Sequence, residues 1–194
     1  IIFFLGTLII TRFTNLFISP DETANFFFAR VFSQTGSFRV FDSANEIFSG
    51  ALHPRSIITD GAFLLPGSFF GLAFLYGIVA FFLGTQSLYF LTTIFAILAA
   101  MAWGKLLTQW FSKSVAIISA FLLLFHPAFW YYSARGFMPN VLFVSFLILG
   151  IYVLFERPLL FHLRRCANRV GTLKHFQKDA DLVGFGLCFG FALL

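Results

Sequence analysis

Apolar residues fill this chain in long blocks separated by short polar breaks, and the block lengths predict the elements. Residues 1–18 form a first apolar helix, which stops at Ser19. From 19 to 60 the chain turns polar. Inside that stretch Ala24, Phe27, Phe28, Val31 and Phe32 recur at the helical period, with Arg30 and Gln34 off the stripe and Gly36 ending the run. The pattern predicts an amphipathic helix with an aromatic face. That face fits two uses: lying in a membrane interface, or packing on the protein's own helices. An apolar segment at 62–83 follows, interrupted by Pro66, Gly67, Gly71 and Gly77, and then the turn Gly84-Thr85-Gln86-Ser87. Residues 88–103 predict an unbroken span, and 105–113 a short loop. Residues 115–132 predict a second span, kinked near its end by Pro127. A polar turn at 133–140 leads into a further span at 141–155. A basic loop at 156–181 then precedes a last apolar stretch, 182–194.

Composition fixes the solvent. Hydrophobic residues make up 59% of the chain and charged ones 11%, with 32 Phe. That leaves too little charge to cover an ordinary soluble surface. Residues 61–104, 114–134 and 136–155 carry no charged side chain, and about 20 apolar residues suffice to cross a bilayer. The expected fold class is all-α, a polytopic transmembrane helical bundle with amphipathic juxtamembrane helices in its first loop. The chain begins inside one apolar block and stops inside another. Residues 1–194 therefore read as the N-terminal part of a single longer transmembrane domain. Cys166 and Cys188 are too few and too far apart to suggest a disulfide framework or a metal site.

Charge distribution bears on topology and partners. The net charge of +5 does not point to nucleic acid, because six of the thirteen basic residues (Arg157, Arg164, Arg165, Arg169, Lys174 and Lys178) share the 156–181 loop. A basic loop beside a span marks the cytoplasmic side. The 19–60 loop instead carries Asp21, Glu22, Asp42, Glu46 and Asp60 against Arg30, Arg39 and Arg55. Two arrangements satisfy the charge counts. If every apolar segment crosses, the acidic loop lies inside and Arg135 outside. If 62–83 does not fully cross, Asp21 and Arg135 share the outer face.

Three groups of residues could carry chemistry. Ser19-Pro20-Asp21-Glu22 reads as a helix start: Ser19 as N-cap, Pro20 at the first position, and Glu22 completing a capping box. Asp21 also fits a general base, or a metal-bound carboxylate, at the membrane edge. His53-Pro54-Arg55 fits a solvated loop. Folded over Asp21, it would offer His53 to a metal or phosphate and Arg55 to phosphate oxygens. In the third group, Tyr131 to Asn140, Arg135 fits either a snorkelling side chain between interfacial tyrosines or a phosphate ligand. Asn140 reads as the cap of the next helix.

Taken together, these features resemble the membrane glycosyltransferases of the GT-C fold. The acidic pair follows an apolar helix, an amphipathic helix ends in Gly, and His-Pro precedes an apolar segment. The stretch FHPAFWYYSARGFMPNVLFVSFLILGIYVLFE at 125–156 then follows. Protein O-mannosyltransferases and lipid A aminoarabinose transferases are the members most similar to it. The resemblance implies a multi-pass plasma-membrane protein with its active site on the extracytoplasmic face. Its donor would be a polyprenyl-phosphate sugar, its acceptor a protein, glycan or lipid, and membrane lipid would surround it. Asp21 would be the base, Glu22 its neighbouring acid, and Ser133 and Arg135, with Arg55, the donor-phosphate site. His53 would meet a metal or phosphate, and the family leaves room for a divalent cation. Many members carry a second Pro where this chain has Arg55, and an acid where it has Asn140. The alternative function is a non-catalytic lipid carrier or transporter subunit in which Asp21 and Glu22 only cap a helix.

Overall fold

A computed structural model describes residues 1–13, 17–67 and 70–155. The basic loop at 156–181, the stretch at 182–194, Cys166 and Cys188 lie outside the described residues. Helices are α1 (Ile2–Phe13), α2 (Pro20–Thr35), α3 (Ser43–Ile47), α4 (Phe70–Leu83), α5 (Leu88–Leu107), α6 (Lys113–Phe125), α7 (Pro127–Ala134) and α8 (Pro139–Phe155). Three short strands accompany them: β1 (Val40–Phe41), β2 (Ile57–Asp60) and β3 (Phe63–Pro66). The fold is thus mostly helical, as expected of an all-α chain, with a small sheet that the apolar pattern did not announce.

The sheet is antiparallel in the order β1-β3-β2. Asp60 pairs with Phe63, so Gly61-Ala62 is a two-residue hairpin loop, and Gly61 supplies the positive φ (+59°) that such loops need. This corrects the reading of 62–83 as one apolar segment. Its first part is strand, and the helical remainder, α4, has 14 residues. At 1.5 Å per residue that is about 21 Å, against a hydrocarbon core of roughly 30 Å.

Helix α2 starts and stops where its sequence says. Ser19 is the N-cap of a complete capping box with Glu22, Pro20 occupies the first turn, and Gly36 closes the helix at φ +69°. Its apolar face answers the question the stripe left open. Phe28 and Ala29 are fully buried. Phe32 contacts Phe74, and Phe38 contacts Phe70, so α2 and α4 run antiparallel. They meet at Gly77, where a Cβ would come within 2.5 Å of the Phe32 ring and 3.2 Å of the Ala29 carbonyl. Phe28 also packs with Ile57 at the start of β2. The aromatic stripe is used inside the protein.

Helix α5 is the axis. Its buried alanines, Ala96, Ala99, Ala100 and Ala102, let neighbouring helices approach closely, and both α6 and α8 pack along it. The helix running from Thr85 to Leu107 has 23 residues and is, among the described residues, the one that alone is long and apolar enough to cross a membrane. Helices α6 and α7 pass the same test as a pair, bent by 54° at His126-Pro127. The bend is the kink expected at Pro127. Helix α8 is apolar but has 17 residues. It begins at Pro139, whose missing N–H is harmless in a first turn. Asn140 therefore lies within that turn, exposed, and is not the cap.

Candidate functional site

Glu22 is placed by its own helix. As the third residue of α2 its carboxylate turns back to the cap, where Oε2 accepts from the amides of Ser19 (3.3 Å) and Ile18 (3.2 Å). The same carboxylate receives Arg135 in a two-pronged ion pair. Nε donates to Oε1 at 2.8 Å and Nη2 donates to Oε2. The Glu22 and Arg135 side chains are 4% and 10% exposed. A buried pair is tolerable only when further hydrogen bonds support its two charges, and both partners have them. Arg135 Nη1 donates to the Tyr131 hydroxyl at 3.2 Å, and the guanidinium lies 5.6 Å from the centre of the Tyr131 ring. Its hydrogen bonds to Glu22 outweigh desolvation and hold the Arg135 pKa above its usual value, so it is a permanent cation. Neither use foreseen for Arg135, snorkelling or open phosphate ligand, describes this contact: the guanidinium is bound to Glu22.

The turn that carries Arg135 is held by its carbonyls. The Gly136 oxygen accepts from the hydroxyls of Tyr76 (2.9 Å) and Thr92. The Ser133 oxygen accepts from Thr93 at 3.2 Å, and the Phe137 oxygen accepts from the Asn25 amide at 2.9 Å. Tyr76, Thr92, Thr93 and Asn25 are all buried. Helices α2, α4 and α5 thus each reach into one turn. Ser133 faces the same interior: it is fully buried and its hydroxyl donates to the Phe129 carbonyl at 2.6 Å. Its hydroxyl is therefore not open to a phosphate, contrary to expectation.

Asp21 lies beside Glu22 but is used differently. It is half-buried, and Oδ1 accepts from the Ser56 hydroxyl. No partner of its other oxygen is found among the described residues. Ser56 has φ +71°, rare for a non-glycine residue. What holds it there is the adjoining strand pair. The Gly67 amide donates to the Ser56 carbonyl at 3.1 Å, and a Cβ on Gly67 would come within 3.0 Å of that carbonyl. The turn before Ser56 brings Arg55, exposed and without an ion partner among the described residues, to the same corner. His53 is exposed too, with Nδ1 3.3 Å from the Pro54 carbonyl oxygen. No described contact joins it to Asp21.

The structure therefore brings Asp21, Glu22, Arg135 and the Arg55-Ser56 turn to one corner, and leaves Ser133 beneath it and His53 beside it. Arrangements that set Asp21 and Arg135 on opposite surfaces are excluded by the Glu22–Arg135 contact. Among the described residues no three His, Cys, Asp or Glu side chains cluster. Sequence reasoning missed Ser56, Asn25, Tyr76, Thr92 and Thr93. The adjacent pair Thr92-Thr93 inside the uncharged run 61–104 was the available signal, since hydroxyls there need partners. Comparison with protein-family models, with curated proteins and with solved structures found no match.

Proposed function

We propose that the protein is a multi-pass membrane glycosyltransferase that moves a sugar from a polyprenyl-phosphate donor to an extracytoplasmic acceptor, with inversion. The observation that carries this reading is the corner itself. A half-buried carboxylate, Asp21, has one oxygen engaged by Ser56 and stands next to an ion pair that fixes its helix. Exposed apolar side chains along the helices favour the membrane setting: Ile94, Leu98 and Met101 on α5; Ile117, Ile118, Phe121 and Leu122 on α6. In this reading Asp21 takes the proton of the acceptor hydroxyl as that oxygen bonds to the anomeric carbon. The bond from that carbon to the phosphate oxygen breaks, and the polyprenyl phosphate leaves with the electron pair. Arg55, exposed at the same corner, meets the leaving phosphate. Arg135 acts one step back: it holds Glu22, and through Glu22 the start of α2 on which Asp21 stands.

The second reading, a non-catalytic membrane protein, is favoured by the complete capping box, which gives Glu22 a structural use without any reaction. Asp21→Asn separates the two. The amide oxygen still accepts from Ser56, so the corner keeps its shape. The assay supplies polyprenyl-phosphate hexoses and pentoses to membranes containing the protein and follows label into acceptor. Transfer falls at least 100-fold in D21N and persists in a D42N control, as a positioned base implies. Transfer by D21N at the unsubstituted rate would remove Asp21 from the chemistry and leave the capping role alone.

A further inference from the structure

Far from the acidic corner, a groove of about 350 Å³ runs between α5 and α6. Its walls are apolar, from Ile97 and Leu124 at one end to Gly104 and Ala116 towards the other, and Lys105, Thr108 and Lys113 stand at its mouth. The volume falls within the range of ligand sites, roughly 300–1,000 Å³. Small residues make the room. Gly104 faces Ala120 so closely that a Cβ would sit 3.3 Å from the Ala120 methyl. From Ile97 to Lys105 the groove extends about 12 Å along α5.

Two observations say what the occupant is. The mouth is cationic: neither Lys105 nor Lys113 is ion-paired among the described residues, and Lys105 lies 5.9 Å from the Tyr152 ring. Lys113 also opens α6, whose first amides add positive potential there. The wall below offers no polar group except Thr108, which stands at the same mouth. An anionic head continuing into a long apolar tail fits both ends, whereas a free anion would leave the wall empty and a neutral lipid would leave the lysines unmatched.

We propose that this groove binds an anionic phospholipid, its phosphate between Lys105 and Lys113 and one acyl chain along α5 and α6. The inference rests on the membrane setting of the proposed function and not on sugar transfer. The test uses the full chain in neutral detergent, with phosphatidylglycerol, phosphatidylcholine or inorganic phosphate added, and reads bound lipid by native mass spectrometry and the melting temperature. Phosphatidylglycerol is expected to bind and raise the melting temperature, and phosphatidylcholine to do so weakly. K105Q/K113Q should weaken phosphatidylglycerol binding about fivefold per lysine, or about 25-fold together. A120F, which fills the groove, should abolish it. If A120F does not fold, the lysine variant, altered only at exposed positions, decides alone. Equal binding of the two lipids, equal protection by inorganic phosphate, or unchanged binding in K105Q/K113Q would overturn the proposal. So would efficient disulfide formation between A120C and Cys188, which would put the chain's own apolar segment in the groove. None of these outcomes depends on the D21N transfer assay, so the two readings fail separately.

Discussion

Removing Glu22 tests the central contact most directly. In E22A, Arg135, whose side chain is 10% exposed in the intact protein, loses both carboxylate bonds. The amides of Ile18 and Ser19 lose their acceptor as well. Stranding one partner of a buried ion pair costs about 3–5 kcal/mol, and loss of a cap about 0.5–2 kcal/mol. The expected total is about 3.5–7 kcal/mol. R135M strands Glu22 instead, but Glu22 keeps its two amide donors, so about 3–4 kcal/mol is expected. Once either partner is gone the other has little left to lose. The double variant E22A/R135M should therefore be more stable than the sum of the two losses by about 2–3 kcal/mol. Unfolding in mixed micelles of dodecyl maltoside and SDS, followed by tryptophan fluorescence, gives all four corners of the cycle. Losses that add to within 0.5 kcal/mol would mean that the pair is not coupled, and the account of how α2 is fixed to the Arg135 turn would fail.

Other consequences are equally measurable. Y76F leaves the Gly136 carbonyl one donor, Thr92, and should cost about 0.5–1.5 kcal/mol; Y76F/T92V leaves it none and should cost more than the two single losses combined, by about 1 kcal/mol, in the same unfolding assay. G77A forces a methyl against Phe32 and the Ala29 backbone and should cost about 1–3 kcal/mol by melting temperature. S56A and S56G both lose the hydrogen bond to Asp21, but only S56G relieves the positive φ, so S56G should be the more stable by about 1 kcal/mol.

What could be read in the sequence follows from the range of the interactions. The start of α2 was legible because a capping box is local: Ser19 and Glu22 lie three residues apart. The break at His126-Pro127 was legible for the same reason. The hairpin was overlooked although Asp60-Gly61 after Ile57-Ile58-Thr59 is a turn signal. Its apolar strand, Phe63–Pro66, blends into the helix that follows, so hydropathy alone joined the two. The partner of Arg135 was harder still. Glu22 lies 113 residues away, and charge counting could place the two on one side without saying that they touch. The inward turn of Ser133 was hidden too, because a serine beside an arginine looks the same in sequence whether it faces solvent or the preceding turn.

Beside the Arg135 ion pair, the grip of α2, α4 and α5 on residues 133–137 is exerted on three main-chain oxygens, those of Ser133, Gly136 and Phe137. Main-chain oxygen is common to every amino acid, so these bonds by themselves do not choose the letters at 133, 136 and 137; burial does, with Phe137 2% exposed and its ring against that of Tyr76. The gripping side chains, Asn25, Tyr76, Thr92 and Thr93, are scattered over three helices. Kinship among proteins sharing this corner would then show as two single polar letters, at 25 and 76, and the pair at 92–93 in apolar surroundings, and not as one contiguous signature.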